Sequence, residues 1–136
     1  MQPEKGFSAA RMLRATPADR FEKSQFIKLA SVKSGVSRTS GRKKILAQTV
    51  SIDKKAPDRT KYITSIEIFS RQNIKVSCSC SDFMFRWEYA LEKKGGADLV
   101  YGNGDPPVDR NPALKPGVCK HLLALIDRAK EKSLIE

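Results

Sequence analysis

Apolar and polar residues alternate with a two-residue period along the middle of the chain. In ILAQTVSI, Ile45, Ala47, Thr49 and Ser51 fall on one side, and Leu46, Gln48, Val50 and Ile52 on the other. That period predicts a strand. After a turn region at KKAPDRT, KYITSIEIF repeats the pattern with Tyr62, Thr64, Ile66 and Ile68 on one face. After SRQN, IKVSCSC puts Ile74, Val76, Cys78 and Cys80 on one face. Three such runs joined by short turns predict an antiparallel meander.

Further along, the period changes. SDFMFRWEYALEKKGG sets Phe83, Trp87 and Leu91 four residues apart, between a cap at Ser81 or Asp82 and a stop at Gly95 and Gly96, and predicts a helix. The run from 97 to 117 has no period and is dense in Gly, Pro, Asn and Asp, so it reads as an extended loop. From GVCKH onward, Leu122, Leu125, Ile126 and Ala129 form the apolar stripe of a last helix, with Pro116 marking its boundary. Upstream, residues 1–15 read as irregular and mobile. TPADRFEKSQFIKLASVK predicts a helix with Thr16 as N-cap, Pro17 at the first helical position and Asp19 in the first turn. Its apolar face, Phe21, Ile27, Leu29 and Ala30, is ragged. SGVSRTSGRKK, residues 34–44, reads as a flexible basic loop. No internal repeat is visible. The expected class is α+β, a small antiparallel meander plus helices.

The length of 136 residues suits one domain. No apolar run is long enough to span a bilayer, and the N-terminal stretch lacks the apolar core of a secretory signal. The expectation is a soluble protein of a reducing, cytoplasmic compartment. The formal charge is +11, unevenly spread. Residues 28–61 hold ten basic groups against two acidic ones, a local +8, whereas residues 62–136 come to +1. A basic stretch of that density suits a polyanion, most simply nucleic acid. Arg38, Arg42, Lys43, Lys44, Lys54 and Lys55 are its candidate phosphate contacts, reading shape and charge more than sequence. An ordinary lysine-rich surface would give the same composition.

The chain has three cysteines and one histidine, in the pattern C-x-C, 38 residues, C-x-H. An odd cysteine count argues against a complete set of disulfides. Cys78 and Cys80 lie two apart on a strand and face the same way, with Ser79 facing the other. Cys119 and His121 are two apart at a helix start, which requires Cys119 at or before the first helical residue. Three thiolates and an imidazole make a closed tetrahedral site, and one structural zinc is the expected ion.

The halves VSCSCSDF and GVCKHLLAL resemble the SWIM-type zinc finger, with its C-x-C…C-x-H signature. The resemblance covers about residues 62–130. It implies a zinc-stapled ββα core, Cys78, Cys80, Cys119 and His121 as ligands, and DNA or protein as partner. The chain then divides into an N-terminal arm, helix and basic loop (1–43) and a SWIM-like zinc-binding domain (44–136) with an insertion at about 82–116. The 38-residue spacer departs from the family by its length. NPALKPGVCKH is also similar to small SWIM proteins of tailed bacteriophages, which implies a virion or assembly role as the alternative to DNA binding.

A closed four-ligand site offers no open position to a substrate and uses the only histidine and every thiol. The chain has no G-x-x-x-x-G-K-[ST] loop and no G-x-S-x-G elbow. Asp98, Asp105 and Asp109 read as turn formers in the long loop. The expectation is a binding module with no catalytic activity, no membrane partner and no small-molecule substrate. Phe85, Tyr89 and Tyr101 lie off the Phe83–Trp87–Leu91 stripe and are candidate protein contacts.

Overall fold

The expected meander is present and is part of a larger sheet. A computed structural model describes residues 6–55, 59–102 and 104–136. Residues 1–5 of the N-terminal arm, residues 56–58 of the KKAPDRT turn and Asn103 of the long loop lie outside the described residues. The elements are β1 (Phe7–Ser8), α1 (Ala9–Ala15), α2 (Ala18–Ser24), β2 (Ile27–Val36), β3 (Lys43–Ser51), β4 (Tyr62–Ile68) and β5 (Asn73–Cys78). A π turn (Phe83–Trp87) then runs into α3 (Glu88–Glu92), and α4 (Lys120–Glu131) follows the long loop. The strands form one antiparallel sheet in the order β1-β5-β4-β3-β2. The class is therefore α+β.

Strand phase is as the alternation predicts. Ile45, Ala47, Thr49 and Ser51 of β3 are buried, as are Thr64 and Ile66 of β4 and Ile74, Val76 and Cys78 of β5. The apolar stripe of α4, Leu122, Leu125, Ile126 and Ala129, packs into the same core. Phe83, Trp87 and Leu91 are buried too, so the four-residue spacing marks the right face even where the helix widens into a π turn. Along β3 the inward positions pass from apolar (Ile45, Ala47) to hydroxylic (Thr49, Ser51), and the hydroxylic end lies toward the cysteines.

Three segments differ from expectation. Residues 9–15 are helical: AARMLRA is made of good helix formers, and the Ser8 side chain accepts the Arg11 N–H at 3.2 Å as N-cap. The single helix expected from Thr16 is only α2, and it starts after Pro17, one residue later than placed. From Ile27 the chain becomes β2, pairing with β3 from Ile27↔Ser51 to Val36↔Lys43 around a bulge between Leu29 and Ser31. Phe21 and Ile27 never shared a helical face, and strand pairing plus burial outweighs the weak local preference. The third difference is the basic loop 34–44. Only residues 37–42 turn, tied by the Ser37 N–H to the Arg42 carbonyl and the Gly41 N–H to the Ser37 carbonyl, each at 2.8 Å. Gly41 has φ +74°, which suits a glycine. Strands from residues 1–43 and from residues 44–136 thus share one sheet.

Candidate metal centre

The four ligand candidates come together from three places. Cys78 is the last residue of β5, Cys80 lies in the turn after it, Cys119 is the N-cap of α4, and His121 is the second residue of that helix. Ser79 extends the pairing beyond β5: its N–H reaches the Ile63 carbonyl at 3.0 Å and its Oγ accepts the Ile63 N–H at 2.9 Å. That contact turns Ser79 away from the two cysteines and fixes the C-x-C phase. One donor atom from each of Cys78, Cys80, Cys119 and His121 lies within 4.8 Å of all the others. All four residues are buried, none more than 3% exposed. The placement of Cys119 before the first helical turn, in an extended conformation (φ −82°, ψ 169°), lets residues two apart converge.

The donor set fits a soft divalent ion. His121 Nδ1 is buried with no hydrogen-bond partner among the described residues. An orphaned buried nitrogen costs about 1–3 kcal/mol, and beside three thiols a metal–ligand set accounts for it. These residues lie close enough to hold one metal ion, and thiolate sulfur with imidazole selects zinc-like ions over hard cations.

The three thiols ionise unequally. Burial opposes ionisation of Cys78, yet hydrogen bonds from Cys119, Cys80 and Thr64 outweigh it and hold this thiol well below the ordinary range. Cys119 is pushed well above it, first by burial and then by its bonds to Cys78 and Cys80. Cys119 draws Cys80 down, but the bond to Cys78 and burial prevail and raise it.

Around the ligands, the Phe83 N–H points at Cys80 Sγ at 3.4 Å, and the Thr64 hydroxyl lies 3.5 Å from Cys78 Sγ. The Tyr62 ring tilts against the His121 ring, centroids 4.9 Å apart. The second ligand pair is held from the N-terminal side. Thr16 Oγ1 donates to the Met12 carbonyl at 2.8 Å and accepts the Val118 N–H at 3.0 Å. A Cβ on Gly117 would stand 3.0 Å from the Trp87 ring and 3.1 Å from the Ala15 carbonyl. On the first pair's side, Asp82 receives a two-pronged bond from Arg20, at 2.7 and 3.2 Å, and the indole N–H of Trp87 at 3.3 Å. A cleft of about 290 Å³ lined by Arg20, Lys23, Tyr62 and Lys120 leads to Cys80, Cys119 and His121.

The other candidate residues are not gathered at one place. Arg38 is in the β2–β3 turn and Arg42 stacks on Phe69, 4.1 Å from the ring centre. Lys43 and Lys44 open β3 and point to opposite sheet faces, paired with Ile68 and Glu67 respectively. Lys54 and Lys55 lie beyond the far end of β3. Phe85 is exposed and lies under the Arg110 guanidinium, 5.8 Å from its centre, whereas Tyr89 and Tyr101 are half-buried. Asp98 pairs with Lys75 at 2.8 Å; Asp105 and Asp109 are exposed in the loop. That loop is fastened by a residue sequence reasoning passed over. Glu88 is fully buried and accepts the N–H groups of Tyr101 (3.2 Å) and Gly102 (2.7 Å). Thr16, Thr49, Thr64 and Tyr62 were also missed as neighbours of the centre. Their only signal was a hydroxyl or phenol at an inward strand phase or a helix end.

No helix among the described residues is long and apolar enough to cross a membrane. Comparison with known proteins finds no family model, no curated protein and no solved structure that matches this chain.

Proposed function

We propose that this protein is a zinc-stapled binding module of the SWIM kind that attaches to nucleic acid, DNA in the first place, and catalyses no reaction. The zinc assignment rests on the buried Cys3His cluster and its orphaned imidazole nitrogen. Elemental analysis of protein purified without added zinc should find about one equivalent; less than half an equivalent of tightly held metal refutes it.

The observation that supports the partner is the hairpin of β2 and β3. Between Ile27 and Ser51 the chain carries Lys28, Lys33, Arg38, Arg42, Lys43 and Lys44 and no acidic residue. The register puts Lys28, Lys33 and Lys44 on the sheet face away from the helices, because their partners Val50, Leu46 and Gly35 are outward. The hairpin forms the sheet margin, and β2 has no partner strand on its outer edge among the described residues. An ordered basic margin tracks a phosphate backbone with less entropy loss than a floppy loop. The test is fluorescence anisotropy with a labelled duplex over increasing salt. Affinity should fall steeply, and replacing Lys28, Lys33, Arg38 and Lys44 with Gln should reduce the log–log salt slope by about 3–4. Affinity flat across moderate salt, or a variant with the parent slope, overturns the proposal.

A second reading, contact with protein in an assembly such as a bacteriophage virion, is favoured by the insertion. Phe85, Leu99, Val100 and Val108 are exposed there, three of them beside a cleft of about 250 Å³. A stoichiometric protein partner retained by the parent and lost on Phe85→Ser would support it; retention unchanged by that substitution would count against it.

A further inference from the structure

Two threonine hydroxyls are fully buried beside the cluster, where the inward face of the sheet would otherwise be apolar. Thr49 and Thr64 are cross-strand neighbours on β3 and β4, and both are 0% exposed. Their oxygens are 2.9 Å apart. Thr49 Oγ1 also lies 3.3 Å from the Tyr62 carbonyl, and Thr64 Oγ1 lies 3.5 Å from Cys78 Sγ. The four groups form one chain: Tyr62 carbonyl, Thr49, Thr64, Cys78. The Tyr62 ring at one end packs on His121, so the chain runs between a member of each ligand pair.

Each hydroxyl has one proton to give. A sulfur that ligates a metal has no proton to give. Thr64 must then turn its own proton toward sulfur, and Thr49 must turn its proton toward Thr64, because two lone pairs facing each other at 2.9 Å repel.

We propose that Thr64, backed by Thr49, is a positioning residue for the metal: its hydroxyl donates to the ligating sulfur of Cys78. The inference rests on the reading of Cys78, Cys80, Cys119 and His121 as ligands. A donor to a ligating thiolate disperses its charge and fixes its lone pairs, and removing such a partner usually costs 10–100-fold in metal affinity. Thr49 acts one step back, so its loss should cost less.

The experiment uses the full chain loaded with cobalt(II), whose thiolate charge-transfer band reports the sulfur directly, and zinc affinity from competition with a chelator. Thr64→Val keeps shape and removes the donor. It should weaken zinc binding about 10–100-fold and move the charge-transfer band to lower energy, since an unbonded thiolate gives up its electron more easily. Thr64→Ser should restore both, and Thr49→Val should give the same shifts at smaller size. A purely structural role for Thr64 predicts a lower melting temperature with the band and the zinc affinity of the loaded protein unchanged. That result overturns the inference while leaving the ligand set standing. Parent protein that takes up neither cobalt nor zinc overturns both.

Discussion

Replacing Thr16 with Val tests whether the N-terminal helix holds the second ligand pair in place. The hydroxyl makes two buried bonds, donating to Met12 (2.8 Å) and accepting from the Val118 N–H (3.0 Å), across 102 residues of chain. Valine matches the shape and removes both. The Val118 N–H is then a buried donor without an acceptor, at about 1–3 kcal/mol, and the Met12 carbonyl loses its hydroxyl partner at a similar or smaller cost. The added methyl recovers less than about 1 kcal/mol, so the net loss is about 2–3 kcal/mol. For a domain of this size, each kcal/mol lowers the midpoint by about 3–5 °C, and the expected fall is about 10 °C by calorimetry. Val118 precedes Cys119, so local loosening should also speed zinc release to a chelator. Thr16→Ser keeps the hydroxyl and should keep both values near the parent. A Thr16→Val protein that melts within about 2 °C of the parent and releases zinc at the parent rate would show that the bridge contributes nothing, and the coupling would be refuted.

Two further outcomes are expected. Gly117→Ala drives a methyl into the Trp87 ring and the α1 backbone, at 3.0 and 3.1 Å; two elements would have to yield, so stability should drop by about 1–3 kcal/mol in a denaturant titration, with zinc release faster than in the parent. Glu88→Gln exchanges one of two accepting oxygens for an amide that faces backbone N–H groups. Hydrogen exchange at Tyr101 and Gly102 should quicken by about 10–100-fold, the equivalent of about 1.4–3 kcal/mol, while amides of α4 keep their protection; equal exchange in both proteins would show that Glu88 does not fasten the loop.

The strands from Ile45 to Cys78 and the helix after Cys119 were legible because one face of each is buried, and burial imposes its period on the residues. The Cys78–Cys80–Cys119–His121 cluster was legible because every cysteine and the one histidine in the chain fall into two short pairs. The N-terminal third was not, for a physical reason: β2 is the outermost strand and its second half is exposed on both faces. No period was imposed on SGV, residues 34–36, so composition alone pointed to a loop. The number of basic residues between 28 and 61 can be read from the sequence, but their grouping on the sheet cannot. Lys28 and Lys33 join Lys44 on one face only through the bulged register of β2, and Arg42 turns to the Phe69 ring. Cross-strand placement of that kind depends on a pairing that no local pattern states.

The long spacer between the ligand pairs makes physical sense once its fastenings are counted. Closing a flexible loop costs only about 0.6 kcal/mol more for each doubling of its length, so 38 residues are tolerable at a metal site. A floppy spacer would nevertheless leave Cys119 and His121 to search for Cys78 and Cys80. Here the spacer is tied at Glu88 to Tyr101 and Gly102, at Asn111 to the Arg86 and Lys115 backbones, and at Val118 to Thr16. Each tie shortens the free chain that remains, and the last one stands next to the candidate ligand Cys119. The hydroxyls follow the same logic from the sheet side. Thr49, Ser51 and Thr64 occupy inward positions where the strand period calls for apolar residues, and they do so at the end of the core nearest the cysteines. On the proposal made for Thr64, the hydroxyls at the buried end of these strands beside the C-x-C pair are the sequence trace of support for the candidate ligand Cys78.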